Sequence, residues 1–191
     1  MKQLSLFDAP SPYRISRLEN RRFDSSGLRQ WKERVWRYQQ LMQNIQEPEQ
    51  QTLFEITSDR PSPDYLDPFS LAYHSSLFWR QKANLDYAEK RQGCLYFIID
   101  RTLPLLLYIG ETKLTAHHRW RGTHDCKEYI LRYLELHRRY DLETAIVSAF
   151  YPLALSKKEL QTWENALIYK WRSPFNKECW QYWGQPFGKI A

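Results

Sequence analysis

The sequence predicts an α+β fold: a small antiparallel sheet of about three strands flanked by helices, with a helical N-terminal extension. Two short apolar runs, Leu95–Ile99 and Leu105–Ile109, flank the turn-like Asp100-Arg101-Thr102-Leu103-Pro104. Continuous apolar runs broken by so short a turn read as an antiparallel pair buried on both faces. A third such run covers Ala145–Tyr151. Around these runs, apolar residues recur at the helical steps of three and four. The order strand, strand, helices, strand, helix fits one sheet covered by helices.

The chain has 191 residues, enough for one core plus an accessory segment. Residues 1–12 end in prolines and read as a flexible tail. Residues 13–89 read as a helical extension, and 90–191 as the main domain. Within the extension, Leu28, Trp31, Val35, Tyr38, Met42 and Ile45 form one helical stripe, with Asp24, Ser25 or Ser26 available as its cap. The stretch 46–68 holds Pro48, Pro61, Pro63 and Pro68, with six acidic residues against the single Arg60, a linker or surface loop. The aromatic-rich segment from Phe69 to Glu89 is expected to pack on the sheet as a helix.

In the main domain, Gly110 closes the second strand and a helix is expected from about Thr115. Asp125 and Glu128 have capping-box spacing for a helix to Tyr140, and so do Ser156 and Glu159 for one to Trp171, with Pro174 just beyond it. On that last helix Leu160, Trp163, Leu167, Ile168 and Trp171 define the apolar face, and Glu164 lies inside it. A carboxylate on a buried stripe must be paired or must ligate a cation. Its two readings are a salt bridge to an arginine, and a metal ligand or catalytic group.

Charge points to a partner. Residues 90–191 hold 16 Lys+Arg against 10 Asp+Glu, whereas 1–89 hold 12 of each, so the net +6 sits in the C-terminal part. A polyanion suits that part. No stretch approaches the roughly 18 apolar residues of a membrane-spanning helix, and no apolar signal core opens the chain, so a cytoplasmic protein is expected. Cys94, Cys126 and Cys179 are too dispersed for a metal pair or a disulfide framework and are expected as buried small hydrophobes. A zinc site from His117, His118, His124 and Cys126 is disfavoured, because adjacent histidines on a helix point apart.

Several residues fall into one ordered pattern. Tyr96 stands in the first strand, Tyr108-Ile109-Gly110 ends the second, and Lys113 follows three residues later. Arg119-Trp120, Glu164 and Asn176 of Ser-Pro-Phe-Asn come after them. In this order and spacing, the C-terminal hundred residues resemble the GIY-YIG nucleases. There are two departures. The glycine of the first motif is displaced to Gly93, in Gly93-Cys94-Leu95-Tyr96, and Arg119 lies one residue beyond the family's commoner spacing, which leaves His118 or Arg121 as alternatives facing the site.

The resemblance implies a divalent-metal-dependent DNA endonuclease. Glu164 would hold Mg²⁺ or Mn²⁺, and Arg119 would stabilise the pentacovalent phosphate. Tyr96 would serve as general base, Tyr108 would orient water or phosphate, Lys113 and His124 would assist, and Asn176 would close the site. Arg121 and Lys113, with Arg17 and Arg21 of the extension, are the candidate DNA contacts. Separately, Gln3-Leu4-Ser5-Leu6-Phe7 resembles the peptide with which bacterial repair and replication proteins dock on the DNA polymerase sliding clamp. A disordered strand offering Leu4, Leu6 and Phe7 to an apolar pocket suits that task. The expected enzyme is a nucleoid-associated nuclease of repair, recombination or branched-DNA processing. The alternative is a non-catalytic adaptor that binds DNA and clamp through a degenerate nuclease fold.

Overall fold

A computed structural model of the chain describes residues 24–45, 62–75, 93–113 and 125–187. The order of elements is α1 (Ser25–Asn44), β1 (Tyr73–Ser75), β2 (Gly93–Asp100), β3 (Leu105–Thr112), α2 (Asp125–Arg139), β4 (Ile146–Leu153), α3 (Lys157–Trp171) and the single-turn α4 (Trp180–Trp183). The fold is mixed α+β, as the apolar runs imply. The expected clamp peptide, Arg17, Arg21, Arg119, Arg121, His124 and the helix expected from Thr115 lie outside the described residues.

The sheet has four strands, in the order β1-β4-β2-β3 with every neighbouring pair antiparallel. The extra strand is Tyr73–Ser75, where the sequence suggested the start of a helix; it pairs with Val147–Ala149 at the outer edge of β4. Its three residues are too short for any alternation to show. All eight residues of β2 are buried: Gly93 lies against Leu160 of α3 on one face, and Asp100 meets Tyr133 of α2 and Lys32 of α1 on the other. Successive side chains point to opposite faces, so Tyr96, Ile98 and Asp100 look towards α2 while Leu95, Phe97 and Ile99 look towards α3.

Each helix starts and docks for a local reason. Asp24 caps α1 by accepting from the Gly27 backbone N–H at 2.6 Å. Ser156 and Glu159 form the expected reciprocal capping box on α3. Asp125 is itself the first residue of α2. The α1 stripe is buried at Leu28, Trp31 and Val35, with Tyr38 and Met42 packed against the same core, while Ile45 at its end is exposed. All three cysteines are buried and free.

β3 is the other outer strand of the sheet, so its outward backbone groups need partners from elsewhere. Side chains supply most of them. The Gln39 amide of α1 takes both groups of Leu106, accepting from its N–H at 2.8 Å and donating to its carbonyl at 2.9 Å. A register shift opposite Ile98/Ile99 leaves Leu107 unmatched on β2, and its carbonyl accepts from Phe175 N–H at 2.9 Å. Asn176 takes both groups of Ile109, at 3.0 and 2.9 Å, and Glu164 accepts from Glu111 N–H at 3.1 Å. Side chains from three separated parts of the chain thus close the edge of the sheet.

Candidate active site

The closed edge is where the residues with chemistry gather. Tyr96 stands directly across from Gly110, and its ring lies over that glycine. A Cβ at position 110 would overlap Cζ and Oη of Tyr96 and stand 2.7 Å from its Cε2, so only glycine lets the ring lie there. Tyr108, one step along the same face, has its ring centroid 6.0 Å from that of Tyr96. The glycine of the second motif is therefore a seat for the tyrosine of the first. The displaced Gly93 has its own duty: a Cβ there would come within 2.9 Å of Leu160 Cδ2 and 3.2 Å of the Leu153 carbonyl, so it admits α3 against the sheet.

Glu164 reaches this corner from α3, with Oε1 on the Glu111 N–H immediately after Gly110. No salt bridge to an arginine forms at Glu164 among the described residues. Half-buried on the helix, it stands close enough to Tyr108 to act on its ionisation. Burial raises the Tyr108 phenol far above its ordinary value of 10.0, and Tyr96, Cys126 and Glu164 push it further in the same direction. Tyr108 is therefore a neutral hydrogen-bond donor at physiological pH. Tyr96 is wholly enclosed.

Asn176 sits at the corner and holds the strand through both ends of its amide. Its Oδ1 accepts from Ile109 N–H and from the Ser173 hydroxyl at 2.6 Å, and its Nδ2 donates to the Ile109 carbonyl. It fixes the strand between Tyr108 and Gly110, which is a positioning role. Lys113 is exposed just past the end of β3.

No group of three His, Cys, Asp or Glu side chains that would enclose a metal forms among the described residues. What the corner offers is one carboxylate, that of Glu164, beside the Glu111 N–H. That donor set fits Mg²⁺, which keeps several waters and binds through one or two carboxylates plus substrate phosphate.

The structure also brings forward groups that were not singled out in the sequence. Gln39 and Ser173 belong to the edge closure, and Lys32, Asp100, Tyr133 and His137 form a buried polar cluster beneath α1. Lys32 and Gln39 interrupt an apolar stripe as Glu164 does, so the same test of position applied to α1 finds them. Compared with known proteins, the chain matches no family model, and no curated protein or solved structure is similar enough to match.

Proposed function

We propose that the protein is a divalent-metal-dependent endonuclease of the GIY-YIG type that hydrolyses DNA phosphodiester bonds. The observation that carries this reading is the meeting of Tyr96, Tyr108 and Glu164 at the Gly110–Glu111 end of β3, from positions up to 68 residues apart in the chain. The order of Tyr96, Tyr108-Ile109-Gly110, Arg119, Glu164 and Asn176 supports it, as does the basic excess of the C-terminal part.

In this reading Glu164 holds Mg²⁺ or Mn²⁺, with Oε1 kept in place by the Glu111 N–H. The ion, when bound, withdraws charge from the scissile phosphate and stabilises the leaving 3′-oxygen. Tyr108, kept protonated by burial, donates to water or to a phosphate oxygen and so orients the attack. Tyr96, as the phenolate favoured by nearby cations, would take the proton from the attacking water and become the phenol. Arg119 carries the charge that develops on the pentacovalent phosphate, for which a planar guanidinium is suited. Lys113 and His124 assist, and Lys113, Arg121, Arg17 and Arg21 contact the DNA backbone. Asn176 positions the strand and touches no substrate.

Incubation with supercoiled and branched DNA tests the reading. Cleavage is expected with Mg²⁺ and not with EDTA. An absence of cleavage on every DNA form, with DNA binding retained, would instead favour the adaptor.

Delivery is a separate part of the proposal. The peptide Gln3-Leu4-Ser5-Leu6-Phe7 docks on the sliding clamp and brings a cytoplasmic, nucleoid-associated enzyme to replicating or repaired DNA. Replacing Leu6 and Phe7 by alanine should abolish capture by the clamp in a pull-down and leave cleavage of naked DNA unchanged. Clamp capture that survives the double replacement sinks this part alone.

A further inference from the structure

Beneath α1 lies a polar cluster that the proposed chemistry does not use. Asp100, at the end of β2, is completely buried and accepts four hydrogen bonds. One oxygen takes Thr102 N–H and Ala145 N–H, each at 3.0 Å. The other takes the Tyr133 hydroxyl at 2.7 Å and Lys32 Nζ at 3.0 Å. Lys32 comes down from α1 and also meets His137 Nε2, of α2, at 3.0 Å. His137, also completely buried, has Nδ1 2.7 Å from the Tyr133 carbonyl.

That last contact fixes the tautomer. A carbonyl only accepts, so Nδ1 carries the proton and Nε2 presents its lone pair to the Lys32 ammonium. Adding a proton to Nε2 replaces an acceptor with a second cationic donor 3.0 Å from the first. The one carboxylate at hand, Asp100, already has four donors on its two oxygens. Asp141 and Glu143 line a cavity of about 440 Å³ together with Arg29, Lys32, Thr102 and Leu103, and the charges acting on His137 are those of Lys32 and Asp100.

We infer that Lys32, His137 and Asp100 form an acid-sensitive latch that holds α1 on the sheet at neutral pH and loosens it when His137 gains a proton. The latch stands independently of the nuclease reading. Its reach is longer than the cluster, because α1 also carries Gln39, which closes the β3 edge at Leu106.

The direction follows from the two titrating groups. Burial lowers His137 below its ordinary 6.5 and Lys32 lowers it further, against the opposing pull of the Tyr133 carbonyl and Asp100. The folded state therefore takes up this proton less readily than the unfolded chain. The stability His137 provides is complete above 6.5 and is lost as pH falls through its folded value. Burial also opposes the Asp100 charge, but Lys32, Tyr133 and the Ala145 N–H outweigh it and hold the carboxyl below its ordinary 3.8. The loss due to Asp100 therefore begins only below that value.

Amide hydrogen exchange on the full chain tests the latch, with each rate divided by its unfolded-chain rate at the same pH. Protection in α1 should fall several-fold relative to β2, up to the roughly tenfold ceiling that one histidine with an ordinary value of 6.5 sets, between about pH 7.5 and pH 5.5. In His137→Gln, which keeps a neutral acceptor, α1 protection should be the same at both. Should that variant fail to fold, His137→Asn serves, and NMR titration of the histidine ring in the unaltered protein decides in either case. Equal α1 protection at both pH values in the unaltered protein overturns the latch. So does the same loss in the variant, or a His137 titration at or above its ordinary value.

Discussion

Glu164→Gln should remove Mg²⁺-dependent cleavage while leaving the fold as stable as before, whereas Glu164→Ala should lose both. The two variants separate the strand contact of the side chain from the metal duty proposed for it. Its Oε1 accepts from the Glu111 N–H at 3.1 Å, a bond that a glutamine oxygen makes equally well. Glutamine cannot supply the negative charge a divalent cation needs, so the expected fall in cleavage is about 10²-fold or more, the scale of losing one preorganised electrostatic group. Alanine in addition leaves the Glu111 N–H on a closed sheet edge without its acceptor, at a cost of about 1–3 kcal/mol. Urea unfolding of the three proteins, with cleavage assayed on supercoiled and branched DNA, provides both readouts. Full activity in Glu164→Gln would exclude the carboxylate as the metal ligand and leave Glu164 as a strand cap.

This double duty explains why some of the molecule was legible in the sequence and some was not. β2, β3, β4 and α3 announce themselves because burial on a sheet or a helix face demands long apolar runs or a regular stripe. The Ser156/Glu159 capping box is a local pattern and is found as expected. β1 is not legible: three residues, Tyr73-His74-Ser75, pair with β4 and carry no period. At the site, Glu164 stood out because a charge on an apolar stripe needs a partner. One partner, a backbone N–H 53 residues away, is not visible in the sequence, since an outer strand's need for acceptors depends on the order of strands in the sheet. Gln39 and Asn176 serve the same strand for the same reason. Asn176 stands out from its position in a motif, and its contacts with both backbone groups of Ile109, which the motif does not reveal, hold it at the strand edge. Asp100 was read as part of a turn, although a carboxylate ending an eight-residue buried strand poses the same question as Glu164.

Asp100 accordingly carries the largest expected effect on stability. Asp100→Ala deletes the acceptor of four donors and leaves the buried Lys32 ammonium with only the neutral His137 nitrogen. Removing one member of a buried ion pair costs about 3–5 kcal/mol, most of it the penalty for the uncompensated charge. Lys32→Met should cost a similar amount for the mirror reason, since it strands a carboxylate with only neutral donors. The double variant buries no charge, so its cost should fall short of the sum by about 2 kcal/mol or more. Urea midpoints at neutral pH give all three values. They also place the cluster in the assembly of the fold, because Lys32 is the charged tie between α1 and the sheet and Asp100 anchors Ala145 at the entry to β4. Additive costs would mean that Lys32 and Asp100 act separately. An Asp100→Ala cost below about 1 kcal/mol, the range of an exposed pair, would mean that water reaches the cluster and that α1 is held by its apolar stripe alone.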